Sequence, residues 1–181
     1  MELAILGWGS LIWDPGNLQI KGPWRDDGPF LPIEFARVSG DGRLTLVLYL
    51  GTDPVQTLWV LSAYEDLNQA RENLRERERT SFERIGYISI PESESNCQAL
   101  PQALDSIRNW AVAKGLDAVI WTDLQANFED KTKTELNVEN VTAYLSSLTE
   151  ASREKAIEYI RKAPFQVETK LRRIIEYAVR A

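Results

Sequence analysis

The chain contains no histidine and a single cysteine among its 181 residues. Without histidine there is no Ser-His-Asp or Cys-His triad and no histidine-ligated metal. Cys97 has no second cysteine for an internal disulfide and no imidazole to activate it, so it reads as a bystander, not a nucleophile. General acid–base chemistry then falls to Glu, Asp, Lys, Tyr or backbone groups. Long apolar runs are missing too: stretches such as residues 44–50 are far too short to span a bilayer. The opening Met1-Glu2-Leu3-Ala4-Ile5 has no basic leader and reads directly as a strand. No signal peptide is expected, and the expected location is cytoplasmic. A net charge of −6 suits phosphate backbones poorly, so nucleic acid is not an expected partner, and without a spanning stretch neither is a membrane. The basic residues Lys170, Arg172, Arg173 and Arg180 fall on one predicted helix and read as a solvated face.

At 44% apolar, the chain can bury a real core as one domain without disulfides. Residues 3–6 form a short buried strand that ends at Gly7, and 22–32 read as a long Gly/Pro/Asp-rich loop. Residues 33–38 and 44–50 flank Ser39-Gly40-Asp41-Gly42, a hairpin signal. Further strands are predicted over 57–63, 82–90 and 116–121. Helices are predicted over 65–79, 101–114, 137–148 and 151–162. A last helix is carried by Val167, Leu171, Ile174, Ile175 and Ala178. Strands early and helices late predict α+β, not a doubly wound parallel sheet.

Two features carry chemistry. The first is the run of a buried strand into Gly7-Trp8-Gly9-Ser10-Leu11. Glycine allows positive φ and close backbone approach, and successive amides in such a turn can converge on an anion. An ordinary tight turn explains the same residues. The third glycine of a dinucleotide fingerprint is absent, as is the Gly-Lys-Ser/Thr of a Walker loop. The second feature is one carboxylate on the apolar side of the helix over 65–79. With Leu67 as origin, Ala70 falls at about 300°, Leu74 at about 340° and Glu78 at about 20°, whereas Glu76 falls at about 180°. A carboxylate facing the core must be paired, hydrogen-bonded or raised in pKa. Glu78 is then either a tuned base or a last-turn residue that swings out or pairs with an arginine.

Together these residues resemble the γ-glutamylcyclotransferases. Trp8-Gly9-Ser10-Leu11-Ile12-Trp13 is similar to the family's Tyr-Gly-Ser-Leu loop, with Trp13-Asp14-Pro15 in place of the Trp-Asn-Pro of the ChaC-like, glutathione-degrading branch. Ala70-x-x-x-Leu74-x-x-Arg77-Glu78, followed by Gly86-Tyr87, is similar to that branch's catalytic Arg-Glu and Gly-Tyr strand. The resemblance covers about the first half of the chain. It departs where Trp8 replaces the loop tyrosine, where Arg79 follows Glu78, and in the C-terminal helices.

The resemblance implies a small mixed or antiparallel β-barrel flanked by helices over residues 1–136. The helical extension over 137–181 would pack on that same domain. It implies an enzyme, formally a lyase-type acyl transferase, that releases 5-oxoproline from a γ-glutamyl amine or peptide with no cofactor and no metal. Glu78 would be the general acid/base, and Trp8, Gly9, Ser10, Leu11 and Tyr87 would bind the small-molecule substrate. The alternative is a non-catalytic sensor of a γ-glutamyl or amino-acid ligand on the same fold. Thr122, Asp123, Leu124 and Asn127 follow a buried strand, where polar groups often line a site, but read rather as a turn or cap; Arg37 and Arg43 flank the hairpin and could contact a substrate carboxylate, but read rather as surface residues.

Overall fold

A computed structural model describes residues 1–178, so Arg180 lies outside the described residues. Among the described residues nine strands and six α-helices follow in the order β1 Leu3–Gly7, β2 Ile20–Arg25, β3 Phe30–Val38, β4 Leu44–Leu48, β5 Pro54–Gln56, β6 Leu58–Ser62, α1 Leu67–Glu78, β7 Ile85–Ser89, β8 Glu94–Asn96, α2 Leu104–Lys114, β9 Ala118–Thr122, α3 Phe128–Thr132, α4 Val138–Ser147, α5 Glu150–Lys162 and α6 Lys170–Ala178. Among the described residues no helix is long and apolar enough to cross a membrane.

The strands form two open sheets. One has six strands in the order β2-β6-β1-β9-β7-β8, and the other has three in the order β4-β3-β5. The pair β1–β9 is parallel and its neighbours are antiparallel. The result is a mixed α/β fold, and the closed barrel implied by the family resemblance is not formed. The chain passes between the sheets at a corner. There the Gly28 amide donates to the Thr57 carbonyl at 3.1 Å, and the Thr57 amide donates to that of Pro29 at 3.2 Å. The short β5 cannot bridge the sheets, and Pro32 faces Pro54 at the end of its pairing with β3, where neither has an N–H to extend the ladder. The loop expected over 22–32 also holds β2 and the start of β3, with Gly22 at φ +80° and a register shift between Lys21 and Arg25.

Alternation along the strands divides the core. Leu3, Ile5, Val60, Ile85, Ala118 and Ile120 face Ala70 and Leu74 of α1. Ala4, Leu6, Trp59, Ile88, Val119 and Trp121 face the other way, toward Ile33, Phe35, Leu44 and Leu46 of the three-stranded sheet. Helices α4–α6 join this second cluster, with α5 against β4 and α6 against β3.

Candidate functional site

Helix α1 starts at Asp66, whose side chain accepts from the Gln69 amide at 2.9 Å. It stops at Arg79, which takes the left-handed conformation (φ +50°) and satisfies the last carbonyls through its amide. This length sets the side chain of Glu78 inward at 15% exposed, against 52% for Glu76. Glu78 and the turn over residues 7–11 line one cavity of about 270 Å³.

The turn leaves the end of β1. The Ile12 amide bonds the Gly9 carbonyl at 3.1 Å, and that of Asp14 bonds Ser10 at 2.9 Å. The amides of Gly9 and Leu11 donate to no protein group among the described residues. Neither Gly7 nor Gly9 has positive φ; what each supplies is room. A Cβ at Gly7 would lie 2.8 Å from the Trp24 ring, and one at Gly9 would lie 2.4 Å from the Tyr159 hydroxyl. Trp8 donates from Nε1 to the Leu46 carbonyl at 3.2 Å, tying the turn to β4, and the buried Leu11 packs on the α1 side.

Glu78 accepts from Arg77 Nη1 at 2.7 Å on Oε1, and its Oε2 has no hydrogen-bond partner among the described residues. Arg77 also donates to Ser10 Oγ at 3.4 Å and to the Asp14 carbonyl, so one guanidinium joins the carboxylate to the turn. Burial raises the Glu78 pKa, and the charge and hydrogen bond of Arg77 offset part of that rise.

Tyr159, from α5, closes the cavity on the side of the three-stranded sheet. Burial pushes its pKa to about 12, helped by the charge of Glu78, while the backbone amides of Leu46 and Ser10 act on its oxygen in the opposite sense. It is therefore a neutral phenol near pH 7. Its ring meets Trp13 edge-on at 5.2 Å, and the Arg43 guanidinium lies 5.6 Å from its centroid. Sequence reasoning missed Tyr159, because it sits on the inward face of α5 beside Ala156 and Ile160 and reads as a core aromatic.

Arg37 and Arg43, expected at the surface, line the cavity together with Thr45, Thr122 and Leu124. Tyr87 does not. It packs with the α1-side cluster, its ring 4.3 Å from the Arg71 guanidinium. Its strand alternates, so with Gly86 and Ile88 facing the other core Tyr87 must point away from it. Asp123 accepts from the Gln98 and Ala99 amides, and Asn127 clamps β3 through the Val38 amide (2.7 Å) and carbonyl (3.1 Å); both hold loops. Cys97 is buried and its thiol is pushed up to about 12, chiefly by desolvation. No cluster of three or more metal-ligating side chains occurs among the described residues.

No protein-family model, curated protein or solved structure matches this chain.

Proposed function

We propose that the chain is an enzyme of γ-glutamylcyclotransferase type, releasing 5-oxoproline from a γ-glutamyl amine or peptide. One observation supports this above all: Glu78, a buried carboxylate with one oxygen unpartnered among the described residues, lines the same cavity as Gly9 and Leu11, whose amides likewise donate to no protein group there. The reaction is intramolecular. The substrate's α-amine attacks its own γ-carbonyl carbon, a C–N bond forms, and the carbonyl oxygen becomes an oxyanion. As the oxyanion collapses, the bond to the leaving nitrogen breaks. Nucleophile and electrophile are already tethered, so the site's first task is to hold the substrate folded.

Glu78 takes the proton from the attacking amine and returns it to the leaving nitrogen. A raised pKa suits a base working near neutrality. The Gly9 and Leu11 amides and the Tyr159 hydroxyl are donors for the α-carboxylate and the oxyanion. Tyr159 thus puts a phenol into the cavity although Trp8 stands where the family's loop has tyrosine. The test is to incubate the protein with glutathione, γ-glutamyl dipeptides and γ-glutamyl amines and follow the products by mass spectrometry. The expected result is 5-oxoproline, with Glu78→Gln lowering turnover by about 10²–10⁴-fold. Intact γ-glutamyl ligand recovered bound to the protein, with no 5-oxoproline, would establish a sensor instead.

A further inference from the structure

Helix α1 carries three arginines, and each is held differently. Arg75 pairs with Glu72 one turn back, Nη2 2.6 Å from Oε1, at a spacing that puts both on one helix face. Arg71 is buried, with its Cζ 3.9 Å from the Phe82 ring centroid and 4.3 Å from that of Tyr87. Arg77 pairs with its immediate neighbour, Glu78. Successive residues point about 100° apart around a helix and do not face each other. The turn after β1 brings these two together. Arg77 Nη2 donates to Ser10 Oγ at 3.4 Å and to the Asp14 carbonyl, 67 and 63 residues away in sequence. The Asp14 amide donates to the Ser10 carbonyl, so the guanidinium clasps both ends of one turn. Its other terminal nitrogen, Nη1, reaches Glu78 Oε1 at 2.7 Å.

Stability alone does not account for this pair. The Arg77 side chain is 11% exposed, and burying two charges costs desolvation that their attraction only partly repays. The guanidinium is a rigid planar fork, so pinning Nη2 on the turn limits where Nη1 can lie. Glu78 is then held by Oε1, and Oε2 is unpartnered among the described residues. The other ionisable side chains lining the cavity are Arg37 and Arg43, from the β3–β4 hairpin, and Tyr159, from α5. Among the described residues only Arg77 forms an ion pair with Glu78. We propose that Arg77 is a positioning residue for the reaction: it ties Glu78 by one oxygen to the turn over residues 10–14 and leaves the other oxygen for the substrate's amine, at a fixed distance from the donors of that turn. This rests on the cyclotransferase reading above. The same contact has an electrostatic consequence. Arg77 offsets part of the rise that burial imposes on the Glu78 pKa, so a neutral residue at position 77 raises it further.

The test measures kcat and KM across pH for wild type, Arg77→Lys and the neutral variants Arg77→Met and Arg77→Gln, on whichever γ-glutamyl compound is turned over. The neutral variants should lose about 10²-fold in kcat, the scale of a displaced catalytic group, with KM little changed. The acid limb of their kcat profile should move to higher pH. Arg77→Lys keeps the charge but not the two-nitrogen span, so its limb should stay near that of wild type while kcat is only partly restored. If kcat per folded molecule and the acid limb are unchanged in the neutral variants, Arg77 serves stability only and the proposal is overturned. If wild type turns over no compound, the cyclotransferase reading fails, and carbon-13 NMR titration of glutamate-labelled protein decides the tether by itself. The Glu78 signal is the one lost in Glu78→Gln. A midpoint moved upward in the neutral variants and retained in Arg77→Lys supports the tether, and an unmoved midpoint overturns it.

Discussion

Glu34 on β3 and Glu78 at the end of α1 are both inward-facing glutamates whose pKa burial raises, yet their surroundings differ. Glu34 accepts from the Phe35 amide at 2.8 Å, the Leu171 amide at 3.3 Å and the Thr169 hydroxyl. It thereby caps the start of α6 and binds that helix to β3. Glu78 accepts one hydrogen bond among the described residues, from its neighbour Arg77, and lines a cavity. Burial and a raised pKa are common to both; unmet hydrogen-bonding capacity beside a cavity belongs to Glu78 alone. That is the difference between a carboxylate that builds the fold and one placed to exchange a proton.

The two sites should respond oppositely to substitution. Glu78→Gln should lower turnover by about 10²–10⁴-fold while leaving the melting temperature close to wild type. Glu34→Ala should cost about 2–4 kcal/mol, because it strips buried donors of their acceptor. Turnover per folded molecule should hardly change. Thermal melts and product assays on both variants check this, and matching behaviour would break the comparison.

Next in size is a clash and its relief. Gly9→Ala sets a methyl against the Tyr159 hydroxyl and should cost about 1–3 kcal/mol. Tyr159→Phe removes that oxygen and leaves the next ring atom at 3.5 Å, ordinary contact, so the double variant should recover most of the loss. Denaturant unfolding of the four proteins measures the coupling, and additive effects would show that the turn and α5 are not in contact.

A smaller effect depends on pH. A glutamate whose folded pKa lies above its unfolded value stabilises the fold below the unfolded value and loses that contribution as pH rises through the raised one. Wild type should therefore lose stability relative to Glu78→Gln across that window. Activity needs the basic form and should rise through the same window. The smallest change is at Arg79, whose φ of +50° favours glycine. Arg79→Gly should stabilise by about 1 kcal/mol, read from the denaturation midpoint, with turnover unchanged.

The α1 side of the cavity was legible in the sequence, because a helix repeats within a dozen residues and the phase of Leu67, Ala70 and Leu74 turns Glu78 inward. The turn after β1 was legible as a backbone feature, but the reason for its glycines was not. Positive φ was a local argument, and the actual cause is Trp24 and Tyr159 arriving from elsewhere in the chain. On the opposite wall Arg37 and Arg43 were candidates that a surface role outranked, and Tyr159 was not seen, for the same reason. Arg37 and Arg43 enter through pairing of the three-stranded sheet, and Tyr159 through docking of α5 on β4. The open sheets follow from the corner at Gly28 and Thr57, where hydrogen bonds between residues about thirty apart decide which sheet a strand joins.

The most direct test of the central claim is a crystal structure of Glu78→Gln with γ-glutamylglycine bound. The substrate's α-amine should lie about 3 Å from the side chain of residue 78, with an oxygen of the ligand on the Gly9 and Leu11 amides. A ligand bound outside this cavity, or one whose amine points away from residue 78, would contradict the account.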